Sequence, residues 1–438
     1  MSKATVIGLG YVGLPLSLVM WSNGLDVYGL DVREKYIEDL KTGNVLMSEA
    51  YNGEPIQSVL KRAVASQKFH PTTNADEALG YDGQRIILTV GIPLEGKKTS
   101  TKDLETALEV LGKRLRKGAL VVARSTLIVG YTRSFVMPRL EKYSGLKAGV
   151  DFDLAFSSER MAENVAFEEL VGMVTPVAGI TPQATKRAAE FLREMGVKEV
   201  MEASCPEAVE SAKVMENIAR DVNIALANEY ANFCAAYGLD TKEVLGLVRT
   251  HKRVSFLHHP GPGVGGHCLP QAMFYLKPAA DGVNLDLPVI TCARNANDNQ
   301  PMHVAKIAAD WLKSKGIQNG KIALLGLAMK DFCTDARLSP AVDLARALTT
   351  LKQNVVCWDS YADLKGIEGL PHIVQSLDEA IKDAHVVITG AKQAPLPEKG
   401  LASIDLLSLM KTPSLLLDCR FVFDRAQAIG KGMEYVAL

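Results

Sequence analysis

The sequence predicts an α/β protein: two doubly wound domains, each a parallel sheet with helices on both faces, joined by a long central helix. Three observations carry this. Short apolar runs alternate with helical patterns through the first third of the chain. The alternation resumes from Gly320. Between the two lies one helical pattern over 206–238, longer than the usual globular helix.

The elements follow in order. Residues 4–8 read as a strand, 15–23 as a helix and 26–31 as a second strand, with further strands at 85–90 and 119–124. Continuously apolar strands alternating with helices imply a parallel sheet buried on both faces. Pro206 and Glu207 suit a first helical turn, and Gly238 suits a stop. Ile218, Val222, Ala225 and Leu226 form an apolar stripe on that helix, suited to joining domains or subunits. Strands follow at 321–325, 354–358 (ending at Asp359), 385–389 and 414–418, with a helix at 340–349. The expected division is 1–200, 201–300 and 301–438.

Composition narrows the function classes. With 47% hydrophobic and 23% charged residues over 438 positions, the chain can bury several cores, which excludes disorder and a small disulfide-stapled fold. Forty-nine basic against 50 acidic residues leave a net charge of -1, so no basic excess points to nucleic acid or an anionic membrane. The seven cysteines are scattered without a CxxC pair. That argues against a disulfide framework or a zinc site and favours a reducing, cytoplasmic setting. The uncharged stretch from Ala4 to Leu25 is broken by Gly8, Gly10, Gly13 and Pro15. It reads as a strand and a helix rather than as a leader or a membrane anchor.

Gly8-Leu9-Gly10-Tyr11-Val12-Gly13 leaves an apolar strand and enters a helix. Gly8 permits a tight turn, Gly10 lets a pyrophosphate approach the backbone, and Gly13 lets helix and strand pack closely. Asp31 follows 18 residues after Gly13, where a carboxylate accepts from both ribose hydroxyls and repels a 2′-phosphate. Alone, the glycine pattern would fit a chance turn. With strand, helix and carboxylate in place it predicts an NAD site made of Gly8, Gly10, Tyr11, Val12, Gly13 and Asp31. Arg33 keeps NADP open.

The segment 260–270 holds four glycines and three prolines in eleven residues and contains Cys268. It predicts an irregular loop whose backbone, at Gly263 and Gly265, comes close to a ligand. Cys268 is then either a nucleophile that adds to an aldehyde, the adduct losing hydride to give a thioester, or a buried, inert thiol. His267 is either a base or a residue that fixes the loop. Lys213 and Asn217 share a helix face, suited either to a developing oxyanion or to solvent. Glu159 and Glu163 follow the apolar run 154–156, as bases acting through water or as helix N-terminal charges.

Together these motifs resemble the UDP-sugar dehydrogenases of the UDP-glucose/GDP-mannose dehydrogenase family. The resemblance runs through Gly8 to Pro15, Arg124-Ser125-Thr126, Ser158-Glu159-Arg160, Lys213 with Asn217, and Pro260 to Pro270. It continues through Gly326 to Lys330, Thr334 to Pro340, and Asp418-Cys419-Arg420. The resemblance implies two Rossmann-like domains around a dimerising helix, and oxidation of a sugar C6 alcohol to a carboxylate in two NAD-dependent steps. It implies Cys268 as the thioester nucleophile, Lys213 and Asn217 at the C6 oxygen, and Thr126 and Glu159 handling water. Glu163 would lie near the nicotinamide and Arg337 at the cofactor. Lys330 and Arg420 would contact the substrate, and Arg253 would reach the sugar site of a second subunit, giving a homodimer with a shared site. Ser158-Glu159-Arg160 and Glu168-Glu169-Leu170 resemble the N-acetylhexosamine branch, implying UDP-GlcNAc, UDP-ManNAc or UDP-GalNAc as substrate and polysaccharide precursor supply as the role.

The sequence departs from the pattern at four places. Ala272 stands where the family has a carboxylate four residues after the cysteine. Asn164 replaces a usual Gly, Ile92 a usual Thr, and Phe421 a common Asn. Ala272 opens an alternative: a nucleotide-sugar-binding homologue with impaired turnover.

Overall fold

The computed structural model describes residues 2–47, 49–95, 98–162, 165–360, 362–393 and 409–438. Its contacts divide the chain into two compact units, Met1–Glu216 with Phe274–Asp286, and Asn217–Met273 with Leu287–Leu438. The boundaries fall inside the helices Pro206–Tyr237 and Cys268–Gly282 and beside the helix Pro288–Ser314.

The first unit is built on eight strands, in the order Val200–Glu202, Thr175–Gly179, Asp153–Ser157, Leu120–Ala123, Arg85–Leu88, Lys3–Ile7, Asp26–Leu30, Phe69–Thr72. Six of them, from Asp153–Ser157 to Phe69–Thr72, run parallel. Numbered along the chain their order is 3-2-1-4-5-6, the doubly wound dinucleotide-binding arrangement. Thr175–Gly179 joins antiparallel to Asp153–Ser157 and extends the sheet. Its period did not stand out in the sequence. The core is fully apolar where helices meet the sheet: Val6, Leu14, Leu18, Val27, Ile87 and Val122 are each at most 0% exposed.

The second unit has six strands, all parallel, in the order His372–Ile373, Asn354–Trp358, Lys321–Leu325, Ala384–Thr389, Leu415–Asp418, Glu434–Ala437. Along the chain this is again 3-2-1-4-5-6. The two sheets also open alike. Gly8 N donates to Leu30 O and Gly326 N to Trp358 O, both at 2.8 Å. Leu9 N donates to Asp31 Oδ2 at 2.9 Å and Leu327 N to Asp359 Oδ2 at 2.6 Å. In each case a left-handed glycine ends the first strand and a carboxylate after the second strand receives the next N–H.

The predicted central helix is Pro206–Tyr237. Gly238 follows at φ 78°, and Leu239 N donates back to Cys234 O at 2.8 Å, closing the end as a left-handed cap. The expected stripe is only partly covered within the chain. Ile218 and Ala225 are buried and Val222 is half-buried, while Leu226 is exposed. The reason is the helix Pro288–Ser314, which the sequence reading did not foresee. Arg294 Nη1 donates to Asp221 Oδ1 at 2.6 Å, Asn228 Nδ2 to Asn297 at 3.0 Å, and Asn232 Nδ2 to Gln300 at 3.0 Å. The exposed apolar face of the central helix is instead Met215, Leu226, Tyr230, Phe233 and Tyr237.

The loop predicted over 260–270 is shorter than expected, because Cys268 already begins the helix Cys268–Gly282. Among the described residues no helix is long and apolar enough to cross a membrane, and no cluster of His, Cys, Asp and Glu could hold a metal.

Candidate active site

In the first unit the nominated groups gather on one edge of the sheet. Gly8 to Gly13 follow Lys3–Ile7, Asp31 follows Asp26–Leu30, Thr126 follows Leu120–Ala123, and Glu159 follows Asp153–Ser157. All leave the carboxyl ends of parallel strands, where doubly wound sheets bind their ligands.

The glycine loop has the geometry its sequence predicts. Gly8 has φ 95°. A Cβ on Gly10 would meet nothing within 4 Å, whereas one on Gly13 would sit 1.8 Å from Gly8 O. The first leaves room for a phosphate to approach the backbone. The second is the close contact that brings the N-terminus of the helix Gly13–Ser22 to the loop. These residues fit a dinucleotide.

Several supports were invisible in the sequence. Thr89 Oγ1 donates to Ile7 O at 2.9 Å and Gly8 O at 2.6 Å, holding the turn. Tyr36 OH donates to Leu9 O at 2.8 Å. Tyr11 OH donates to Glu49, whose other oxygen accepts Ala166 N at 3.1 Å.

Asp31 is more heavily engaged than expected. Besides Leu9 N it accepts Arg33 N (3.1 Å), Arg33 Nε (2.8 Å) and Arg33 Nη2 (2.8 Å). Burial pushes its carboxyl up, but the Arg33 and Leu9 hydrogen bonds and the Arg33 charge outweigh it and hold the group below its ordinary value. The Arg33 guanidinium also lies 4.1 Å from the centre of the Tyr36 ring.

Thr126 is half-buried in the loop after Leu120–Ala123. That loop is pinned by Glu210, which accepts Gly130 N (2.6 Å), Thr132 N (2.9 Å) and Thr132 Oγ1 (2.5 Å). Glu210 stands three residues before Lys213 on the long helix, so one carboxylate ties the Thr126 loop to the helix that carries Lys213. Glu159 is buried. Its Oε2 accepts Arg124 Nε at 2.8 Å, and its Oε1 accepts Arg160 N at 2.7 Å and Met161 N at 2.8 Å. Among the described residues, three donors occupy three of its roughly four lone-pair positions. Glu163 and Asn164 lie outside the described residues.

In the second unit the structure brings Asn217 and Cys268 together: Asn217 Nδ2 donates to Cys268 O at 3.4 Å. Cys268 is exposed and not disulfide-bonded, whereas Cys234, Cys333, Cys357 and Cys419 are buried. It occupies the first position of a helix, the end that favours negative charge. Burial pushes the thiols of Cys357 (to about 12) and Cys419 up, which keeps them inert. His267 is exposed beside Cys268.

The glycines of the loop also answer a packing need within the chain. Two of them lie close against the segment 338–340. A Cβ on Gly265 would lie 2.5 Å from Pro340 Cδ and 2.6 Å from Leu338 O, and one on Gly263 would lie 3.0 Å from Pro340 Cβ. Gly266 N donates to Leu338 O at 3.1 Å. The loop is held further along by Asn223 Oδ1, which accepts His258 N (2.6 Å), and by Asn228 Oδ1, which accepts Gly261 N (2.9 Å).

Lys330 and Arg253 are exposed. Arg337 is exposed and forks Asp335, with Nη2–Oδ2 at 2.6 Å and Nε–Oδ1 at 3.0 Å. Arg420 forks Asp331, with Nη2–Oδ2 at 2.6 Å and Nε–Oδ1 at 2.9 Å. Ala272 is 1% exposed.

Three family models match the chain in order: the NAD binding domain of the UDP-glucose/GDP-mannose dehydrogenase family at 2–196, its central domain at 207–299, and its UDP binding domain at 323–425. The chain is 33% identical over 383 residues to a UDP-N-acetyl-D-mannosamine dehydrogenase from Pyrococcus horikoshii, covering 86% of this chain and 88% of that one. It is 31% identical over 365 residues to a UDP-N-acetyl-D-glucosamine 6-dehydrogenase from Pseudomonas aeruginosa, covering 82% and 83%. Among solved structures, a UDP-D-ManNAc dehydrogenase from Pyrococcus horikoshii superposes with a TM-score of 0.87 at 29% identity, over 99% of both chains.

Proposed function

Because the chain belongs to the UDP-glucose/GDP-mannose dehydrogenase family, we propose that it oxidises the C6 alcohol of a UDP-N-acetylhexosamine to the uronic acid. It is an NAD-dependent UDP-sugar dehydrogenase, an oxidoreductase. The N-acetylhexosamine is favoured by the mannosamine and glucosamine relatives, and a role in polysaccharide supply by the likeness to the CapL protein of Staphylococcus aureus.

The observation that carries the mechanism is Cys268 at the head of its helix, exposed, with Asn217 on its backbone. When bound, NAD accepts hydride in each of the two oxidations. Cys268 Sγ adds to the C6 aldehyde, forming a C–S bond while the carbonyl oxygen takes up a proton. Loss of hydride and of that proton from the thiohemiacetal leaves a thioester, and water cleaves it to the carboxylate and the thiol. Lys213 and Asn217 steady the C6 oxygen as charge develops on it. Thr126 and Glu159 hold the attacking water. Gly8, Gly10, Tyr11, Val12, Gly13 and Asp31 hold the cofactor, with Glu163 and Arg337 beside it. Lys330, Arg420, Gly263 and Gly265 line the substrate.

In this reading, 1–200 binds NAD, 201–300 dimerises and carries the cysteine, and 301–438 binds UDP. The exposed face of Met215, Leu226, Tyr230, Phe233 and Tyr237 supports a homodimer, with Arg253 reaching the partner's sugar site. The setting is cytoplasmic.

The test is NADH production from a panel of UDP- and GDP-sugars, with two NADH expected for each UDP-N-acetylhexosamine. Turnover with GDP-mannose alone would overturn the assignment. A second reading rests on Ala272, which supplies no base. It is favoured if UDP-sugar binds tightly and no NADH forms at any pH.

A further inference from the structure

The pairing of Arg420 with Asp331 differs from the forks made by Arg33 and Arg337. Arg33 and Arg337 each bind a carboxylate two residues away, a contact that any tight turn can make. Asp331 is 89 residues from Arg420. It also accepts Lys392 N at 2.8 Å on Oδ1. These three residues follow the neighbouring strands Lys321–Leu325, Ala384–Thr389 and Leu415–Asp418. One carboxylate therefore ties together three loops at the carboxyl edge of the sheet, where such folds bind ligands.

The backbone on both sides of the pair is strained. Phe332 follows Asp331 at φ 52°, and Phe421 follows Arg420 at φ 51°. Bulky side chains rarely take this conformation, and it persists only where the surroundings impose it, commonly at functional sites. At Phe421 the cause is visible. Asp418 is fully buried and accepts Arg420 N (3.2 Å), Val422 N (3.1 Å) and Phe423 N (2.8 Å), curling the chain around its carboxylate. The guanidinium so presented has Nε and Nη2 on Asp331, while Nη1 faces the glycine loop: a Cβ on Gly261 would lie 3.0 Å from it.

We infer that Asp331 is a positioning residue that holds Arg420 in the one orientation in which its Nη1 edge meets the nucleotide of the substrate beside the glycine loop. The inference rests on this unit being the UDP-sugar-binding unit. A guanidinium held at two of its three nitrogens has lost its rotational freedom before the ligand arrives, so binding need not impose that order. Asp331 does not itself touch substrate or cofactor.

The test is UDP binding by calorimetry without NAD, together with steady-state kinetics, on the full-length chain. Asp331→Asn keeps the volume and an acceptor for Lys392 N but cannot complete the fork. It should weaken UDP binding about tenfold, the order of one charge-assisted hydrogen bond. KM for the UDP-sugar should rise with it, while kcat stays within a few-fold. Asp331→Glu should recover part of the affinity. In an Arg420→Ala background, Asp331→Asn should add nothing. Unchanged or tighter binding in Asp331→Asn, or losses that multiply in the double variant, would overturn the positioning role. A loss of kcat at unchanged affinity would do the same. Wild-type chain that binds no UDP would overturn the substrate reading and the inference with it.

Discussion

Asn217 holds the backbone of Cys268, its side-chain amide donating to the cysteine carbonyl at 3.4 Å. The contact is long, but it joins the central helix to the first residue of the helix that carries the thiol. Cys268→Ser is expected to lower NADH yield from two per sugar to one or less, because a hydroxyl is a poorer nucleophile and leaving group. Asn217→Ala should slow turnover by about 10²–10³-fold, the order expected when one donor to a developing oxyanion is removed. Full two-NADH stoichiometry in Cys268→Ser would remove the thiol from the mechanism.

The position four residues on, Ala272, is buried as well as lacking a carboxylate. Restoring a carboxylate by Ala272→Asp looks like a repair. In the folded chain, however, Ala272 is 1% exposed, so the new group enters a site with little water. An ionised carboxylate there is poorly solvated, and the expected result is a loss of about 1–3 kcal/mol in stability, read as a lower Tm. A variant as stable as wild type and faster in turnover would show that the site admits water and uses the carboxylate.

Asp31→Ala should weaken NAD binding by about 1–3 kcal/mol through lost hydrogen bonds to the ribose. It also releases Arg33, whose fork now occupies the carboxylate. The unpaired guanidinium then favours a 2′-phosphate, so the preference for NAD over NADP should shrink. Titration with both dinucleotides measures the two effects together. An unchanged preference would place the ribose elsewhere.

Glu210 offers a test by pH. Burial raises its carboxyl above the ordinary value, Thr132 and the Gly130 N–H pull it down less strongly, and Glu207 raises it further. The folded state thus binds the proton more tightly than the unfolded chain does. The resulting contribution to stability is fully present below the unfolded value and is lost as pH rises through the raised folded value. Glu210→Gln lacks this titration. It should cost about 1–3 kcal/mol at neutral pH, since the amide sets a donor against backbone N–H groups. The gap to wild type should widen as pH falls from neutral toward the ordinary glutamate value. Denaturant melts at several pH values would show this, and a constant gap would mean that Glu210 is not shielded as its burial suggests.

What was legible in the sequence was local. The strand 321–325 and the start of the helix at Pro340 stand where the sequence placed them, because a short apolar run and a helix-starting proline act over a few positions. The glycine turn at Gly8 and the carboxylate at Asp31 were legible for the same reason: a positive φ and a strand end each leave a mark on the residues that form them. The apolar stripe of the central helix was seen, but which of its faces stays exposed was decided by the helix Pro288–Ser314 packing against it. The glycines at 263 and 265 announced a close approach, and only the fold identified the neighbour as Leu338 and Pro340. Glu210 on the Thr132 loop and Asp331 on Arg420 left no mark at all, since their partners lie 78 and 89 residues away. A carboxylate looks the same in sequence whether it faces water or an arginine. Its partner is set by strand order and loop length, which bring distant residues to one edge of a sheet only once the chain has folded.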